Sequence, residues 1–372
     1  MEAVARRIGY RFLRLVFRNA PAQVPLAAEN FRKILLCRYD RIGDMIVTTP
    51  VINALRSYLP NAEIHVLASP RNSSLLKYDS RVAKVYELDG TQKPLPFLRS
   101  LFSRRLRTAM RAENYDVVFC LVFHKTTLAG IVANVLAGTN AVKIGIAHPT
   151  RMALYSTLFN LLVAIELERE TMAELQVRLL CEVFGWEYHT QAVRYGVELA
   201  SRHHDRANEI LRHLPTNPSQ RLVFYNCSAG APERQWSEKR NRALLQLLTE
   251  RFPDMLFCLS TAPQDRKLGE ALHRSFPAST TLLPLSEDLL DVCALLQRMD
   301  AVFTPETSIV HIATMYRKPL VAMYSRLSFD IKWLPFGEFP RRIVLTDREE
   351  PLENIEPEAV LQAFTEVFAI IK

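Results

Sequence analysis

Runs of four to seven mostly apolar residues recur along the chain, separated by longer stretches where apolar positions return every three or four residues. A run without polar alternation is a strand buried on both faces, and such strands belong to parallel sheets sandwiched by helices. In the first half the runs are Lys33–Tyr39 (KILLCRY), Glu63–Leu67, Val82–Leu88 and Asp116–Val122 (DVVFCLV). Helices are expected at Val51–Leu59, with Thr49 as N-cap and Pro50 at the first helical position, and over 126–137 and 151–185. The second half repeats the scheme. Its strands are expected at Leu222–Asn226, Met255–Ser260, Thr280–Leu285, Ala301–Thr304 and Leu320–Tyr324, with helices near 237–252, 264–276, 286–299 and 307–316. The fold class expected is therefore α/β, built from two open parallel sheets.

A length of 372 residues suits two domains, and the pattern divides near 190–205. We expect an N-terminal basic helix over 1–25, a first sheet domain over 26–195, a second over 196–350, and a C-terminal segment over 351–372. Open parallel sheets bind ligands beyond the carboxyl ends of their strands, so a cleft between the two domains is expected. The last segment carries Val360, Phe364, Val367, Phe368 and Ile371 on one helical face. It needs an apolar partner and is expected to pack back toward the first domain.

Charge separates the halves. Residues 1–150 hold 22 Lys and Arg against 10 Asp and Glu, whereas the rest holds 25 against 29. An anionic partner is expected for the first half. Residues 3–18 read as an amphipathic helix, with Val4, Ile8, Phe12, Leu15 and Val16 in one arc and Arg7, Arg11, Arg14 and Arg18 in another. That pattern suits either a helix in the headgroup layer of a membrane or one docked on the protein itself. Residues 98–111 place five arginines, Arg104 and Arg105 among them, beside Leu98, Leu101, Phe102, Leu106 and Met110 without one acid. No stretch has the roughly 18 apolar residues a spanning helix needs, and arginines interrupt any signal-peptide core. The six cysteines form no CxxC pair, so buried thiols in a reducing cytosol are expected. GxGxxG after the first strand, Walker A, HExxH and GxSxG sequences are all missing.

Three strand-to-helix turns carry chemistry. In Arg38-Tyr-Asp-Arg-Ile-Gly-Asp44, Gly43 permits a tight turn and Asp44 follows it. A carboxylate there either takes a proton from a substrate hydroxyl or caps the next turn. In Asn226-Cys-Ser-Ala-Gly-Ala-Pro-Glu-Arg-Gln-Trp236, the small residues Gly230 and Ala231 let backbone N–H groups approach an anion, and Arg234 can pair with a phosphate. In Thr304-Pro-Glu-Thr-Ser-Ile-Val-His311, Glu306 and Thr307 open a helix. An acid there binds ribose hydroxyls or merely complements the helix dipole, and His311 is a ligand or a core histidine.

Taken in order, these turns resemble the ADP-heptose:lipopolysaccharide heptosyltransferases, family 9 of the glycosyltransferases. The likeness rests on Gly43-Asp44 with Thr48-Thr49-Pro50, on Arg234-Gln235-Trp236, and on Glu306-Thr307-Ser308-Ile309-Val310-His311 followed by Lys318-Pro319 and an apolar strand. It covers about residues 32–345. Three positions depart from the family pattern: Glu306 where Asp is usual, Ser308 where Gly is usual, and Arg234 where Lys is frequent.

The resemblance implies a GT-B fold of two Rossmann-like domains and an inverting, metal-independent transfer from a nucleotide sugar, ADP-heptose, to the lipopolysaccharide inner core. It maps the catalytic base onto Asp44, the phosphate-binding residue onto Arg234 and the ribose-binding acid onto Glu306. Gly230, Ala231, Thr307, Ser308 and His311 would line the diphosphate, and Arg41, Arg104 and Arg105 would meet the anionic, lipid A-containing acceptor. No cofactor, metal or nucleic-acid partner is expected. The expected location is the cytoplasmic face of the inner membrane. Two alternatives are a transferase using another nucleotide sugar and glycan, and a non-catalytic glycan- or nucleotide-binding protein.

Overall fold

The computed structural model describes residues 13, 16, 17, 19–89, 94–165, 169–216 and 220–370. The chain divides into two compact units, Met1–Glu198 and Leu199–Lys372.

The first unit runs β1 (Lys33–Arg38), α1 (Ile42–Ile46), α2 (Thr49–Tyr58), β2 (Glu63–Ala68), β3 (Lys84–Glu87), α3 (Pro94–Leu101), α4 (Arg104–Ala112) and β4 (Val117–Cys120). It continues with α5 (Thr126–Ala137), β5 (Val142–Ile146), α6 (Met152–Leu158), β6 (Leu161–Val163) and α7 (Met172–Phe184). All pairings are parallel, in the order β3-β2-β1-β4-β5-β6. The expected helix over 151–185 is corrected: β6 interrupts it, because Leu161–Val163 completes the sheet edge beside β5. A new helix then starts at Thr171, whose hydroxyl accepts the Glu174 N–H while the Glu174 carboxylate takes the Thr171 N–H at 2.9 Å. Gly185 ends it at φ +69°, and a Cβ there would lie 2.9 Å from Pro25. The basic segment 98–111 is likewise two helices, broken where the Ser103 hydroxyl caps α4 by accepting the Leu106 N–H.

Most of the N-terminal amphipathic segment lies outside the described residues. Within it, Leu13 and Phe17 pack on the first unit's core, while Val16 is exposed. No described helix is long and apolar enough to cross a membrane.

The second unit runs α8 (Ser201–Arg212), β7 (Arg221–Asn226), α9 (Glu238–Arg251), β8 (Met255–Ser260), α10 (Arg266–Ser275), β9 (Thr280–Leu282) and α11 (Leu289–Gln297). It ends with β10 (Ala301–Pro305), α12 (Ser308–Met315), β11 (Leu320–Tyr324), β12 (Arg341–Leu345) and α13 (Pro357–Ile370). Its parallel order, β12-β11-β10-β7-β8-β9, repeats the first sheet with its first strand again beside its fourth. The final helix is a correction. Val360, Phe364, Val367 and Phe368 enter the second unit's own core with Phe252, Phe303 and Trp236, so the apolar face expected to seek the first domain is spent at home. All six cysteines are free and buried.

Candidate active site

In both sheets the strand order reverses direction between the first strand and the fourth, β1 and β4 in one unit, β7 and β10 in the other. The crevice beyond the carboxyl ends at such a switch point is where open α/β sheets take ligands. All three turns singled out in the sequence leave the carboxyl ends of these strands.

In the first unit, Arg38 ends β1 and is only 1% exposed. Its Nε donates to the main-chain oxygen of Asp44 at 3.0 Å, its Nη2 to Asp44 Oδ1 at 3.1 Å, and its Nη1 to the Leu121 carbonyl. The other Asp44 oxygen accepts the Arg41 N–H at 3.1 Å. Asp44 thus caps α1 and pairs with a buried cation. Asp40, on the turn between β1 and α1, has Oδ1 at 3.3 Å from the same Arg38 Nε and Oδ2 at 3.9 Å from His124 Nδ1. Among the described residues neither oxygen has a hydrogen-bond partner. Burial, reinforced by the nearby Asp44 charge and opposed by Arg38, lifts the Asp40 carboxyl to about 6. Burial also lowers the half-exposed His124, which follows β4.

In the second unit, the loop after β7 carries Gly230, Ala231 and Arg234, and the turn after β10 carries Glu306, Thr307 and Ser308. Asn226 ties the two together: its Nδ2 lies within hydrogen-bond reach of Thr304 Oγ1 at 2.9 Å and Thr307 Oγ1 at 3.3 Å. The Gln235 side chain holds the β7 loop from within, accepting the Ala229 N–H and donating to the Cys227 carbonyl, both at 2.8 Å. Arg234 Nη1 lies 3.1 Å from Glu306 Oε1, and Arg234 Nε donates to Ser328 Oγ at 3.2 Å. Thr307 caps α12 by accepting the Ile309 N–H, so the positive end of that helix opens beside the ion pair. Gly230 is exposed, and a Cβ there would meet nothing within 4 Å. A guanidinium beside a helix start, in a unit whose β7 loop carries an unobstructed glycine, can hold an anion.

Not every sequence candidate joins these clusters. His311 is 6% exposed on α12, with its ring 6.2 Å from that of Trp333. Trp236, part of the Arg-x-Trp likeness, is structural: it is buried, and its Nε1 donates to the Leu352 carbonyl at 2.7 Å. Arg41 is exposed and enters the Asp44 cluster through its main-chain N–H. Arg104 and Arg105 are exposed on α4; Arg105 borders a groove of about 700 Å³ with Arg99, Ser100, Ser103, Tyr86 and Asp89.

Sequence reasoning missed Arg38 as a site residue, although an arginine inside the apolar run KILLCRY was itself a signal. It also missed His124, which only the β1–β4 pairing brings near Asp40. A third cluster, Glu63, His65 and Glu113, lies at the amino edge of the first sheet. Lys33 Nζ and Lys84 Nζ already hold the two Glu113 oxygens at 2.8 and 2.6 Å, and Tyr86 donates to it as well. These bonds depress the Glu113 carboxyl to about 2.

Two parallel six-stranded sheets of this order, each flanked by helices, are the GT-B fold. The chain belongs to glycosyltransferase family 9 (heptosyltransferase), whose profile matches residues 103–349. Among solved structures it is similar to a family 9 glycosyl transferase from Veillonella parvula, with 15% identity, a TM-score of 0.74, and 91% of this chain and 97% of that chain covered. The E. coli heptosyltransferase WaaC with ADP aligns at 18% identity and TM-score 0.68, over 90% and 99% of the two chains. The E. coli ADP-heptose lps heptosyltransferase II aligns at 18% identity and TM-score 0.68, over 91% and 99%. No curated protein matches by sequence. The protein is a glycosyltransferase.

Proposed function

We propose that this transferase moves heptose from ADP-heptose to the inner core of lipopolysaccharide, with inversion and without a metal ion. The observation that carries the reading is the unequal loading of two equivalent switch points. One presents acids around a buried arginine, and the other presents an arginine beside a helix start. An inverting transfer is a single in-line displacement. The acceptor hydroxyl loses its proton as its oxygen bonds the sugar carbon, and the bond to the diphosphate breaks with its electron pair. Asp44 is the base. Arg234 and the start of α12, with Gly230, Ala231, Thr307 and Ser308 around them, receive the diphosphate and supply the positive charge a cation would otherwise bring. Glu306 takes the ribose hydroxyls and, through its ion pair, fixes the Arg234 guanidinium.

The donor assignment draws on the similar E. coli structures, one holding ADP and another ADP-2-deoxy-2-fluoro heptose. The acceptor assignment draws on charge. Arg41, Arg104 and Arg105 are exposed, and the described residues give none of them a carboxylate partner. Around α3, Leu95, Leu98 and Phe102 are 70%, 48% and 53% exposed, an apolar patch among arginines that suits the anionic cytoplasmic face of the inner membrane.

The test is transfer to a lipid A-linked inner-core acceptor from a panel of nucleotide sugars, with and without EDTA. ADP-heptose is expected to be the substrate, and chelation to leave the rate unchanged. Turnover of another nucleotide sugar alone would replace the donor, and loss of rate restored by a divalent cation would overturn the metal-free mechanism.

A further inference from the structure

Asp40 is the acid that the proposed reaction leaves without a task. Its surroundings are built to hold it still. The turn that carries it is pinned by residues following β2: Ser69 Oγ donates to the Asp40 carbonyl at 3.1 Å, and Asn72 Nδ2 to the Arg38 and Arg41 carbonyls at 3.0 and 3.3 Å. Among the described residues that carboxylate has no hydrogen-bond partner, and at 9% exposure it rests on the 3.3 Å ion pair with Arg38. A buried carboxylate held by a shared ion pair alone is costly and calls for a reason.

The guanidinium beside it gives one. Asp40 and Asp44 meet the same Nε–Nη2 edge of Arg38, but the hydrogen bonds go to Asp44. Asp44 thus already has a donor on each carboxylate oxygen, Arg38 Nη2 and the Arg41 N–H, whereas both Asp40 oxygens are open to a proton. Two carboxylates on one cation are one charge in excess, and such a pair holds a single proton readily. The charged and titratable groups facing Asp40 are Arg38 on β1, Arg41 and Asp44 on the next turn and helix, and His124 with Lys125 after β4. His124 is half exposed, with Nδ1 3.9 Å from Asp40 Oδ2, a gap that one bridging water would span on the way to solvent.

We propose that Asp40 is the proton store of the transfer reaction: the proton drawn from the acceptor hydroxyl at Asp44 comes to rest on Asp40 and leaves to solvent through His124. This rests on the transfer reading above. The acceptor O–H bond breaks, its oxygen bonds the sugar carbon, the diphosphate departs with its electron pair, and the proton passes from Asp44 to Asp40 to imidazole to water. Asp40 acts through Asp44 and touches no reacting atom.

The test pairs a titration with a pH–rate profile on the full chain. Carbon-13 NMR of aspartate-labelled protein should show a carboxyl that protonates near pH 6 and disappears in both Asp40→Asn and Asp40→Ser. Those variants should lower kcat about 10- to 100-fold, move the acid limb of the kcat profile, and leave the affinity for ADP unchanged. His124→Asn should slow turnover in a way that added imidazole restores. The proposal is overturned if no Asp40-dependent carboxyl titrates near 6, or if Asp40→Asn leaves the acid limb where it was. Those results leave the transfer reading standing. A wild-type protein that uses no nucleotide sugar removes that reading, and the proposal with it, whatever the titration shows.

Discussion

At the end of β1 a buried arginine is shared by two carboxylates; at the corresponding point of the second sheet a partly exposed arginine faces one carboxylate beside a helix start. The strand order is the same in both units, so topology alone does not distinguish them. Local charge does. An excess of negative charge favours taking a proton, and a guanidinium beside a helix start favours holding an anion. A comparison within the first sheet makes the same point. At its amino edge Glu113 is held at about 2 by Lys33, Lys84 and Tyr86, while at its carboxyl edge burial lifts Asp40 to about 6. Glu113 is held by three donors and serves stability; Asp40 shares its arginine with Asp44.

The largest effect expected of breaking this comparison is on turnover. Asp44→Asn should keep the fold and lower kcat about 10²- to 10⁴-fold, the usual range for a positioned base, as measured by ADP release. Next come the second-unit residues. Arg234→Ala should raise the donor KM and also lower kcat, because charge on the diphosphate grows toward the transition state. Glu306→Ala should raise the donor KM about 10-fold with a smaller effect on the acceptor, and Glu306→Asp should recover part of the loss.

Smaller effects concern stability, and they have opposite signs. The Glu113 carboxyl is depressed in the folded chain, so its contribution is present at neutral pH and is lost as pH falls from about 4.5 toward 2. Glu113→Gln should therefore lower Tm at pH 7, by an amount equivalent to about 1–2 kcal/mol given the exposed Lys84 partner. The Asp40 carboxyl is raised, so the folded chain binds the proton more tightly and stability falls as pH rises from about 4 to 6. Asp40→Asn should raise Tm by a few degrees at pH 8 and by less at pH 4, checked by calorimetry. The smallest effect is on surface association. Reversing Arg104 and Arg105 to Glu should weaken binding to anionic vesicles, and more so at low salt, without altering transfer to a soluble acceptor. Equal vesicle binding would assign those arginines elsewhere.

The central strands were legible because burial on both faces leaves no other reading. Met255–Ser260 and Leu320–Tyr324 match the structure end to end. The strands that escaped are short, interrupted by polar or small residues, or exposed. β5 hides behind Lys143 and Gly145, with the buried Lys143 Nζ donating to the Ala141 carbonyl at 3.0 Å. β6 has three residues between two helices, and β12 (RRIVL) is an edge strand lacking buried residues. α8 is too polar to show an apolar stripe, burying only His203 and Ala207. As site candidates, Asp44, Arg234 and Glu306 stood out in the sequence because each follows a strand in a turn of small or capping residues. That Arg38 serves two acids, that His124 approaches one of them, and that Arg234 and Glu306 form an ion pair are facts of tertiary placement.

The central claim is the division of labour between the two switch points. It is tested most directly by calorimetric titration of ADP into Asp44→Asn and Arg234→Ala, with turnover of the same samples. The account predicts that Asp44→Asn binds ADP as the wild type does while turning over about 10²- to 10⁴-fold more slowly, and that Arg234→Ala binds ADP at least about 10-fold more weakly. An Asp44→Asn protein that loses ADP binding, or an Arg234→Ala protein that keeps it in full, would contradict the assignment.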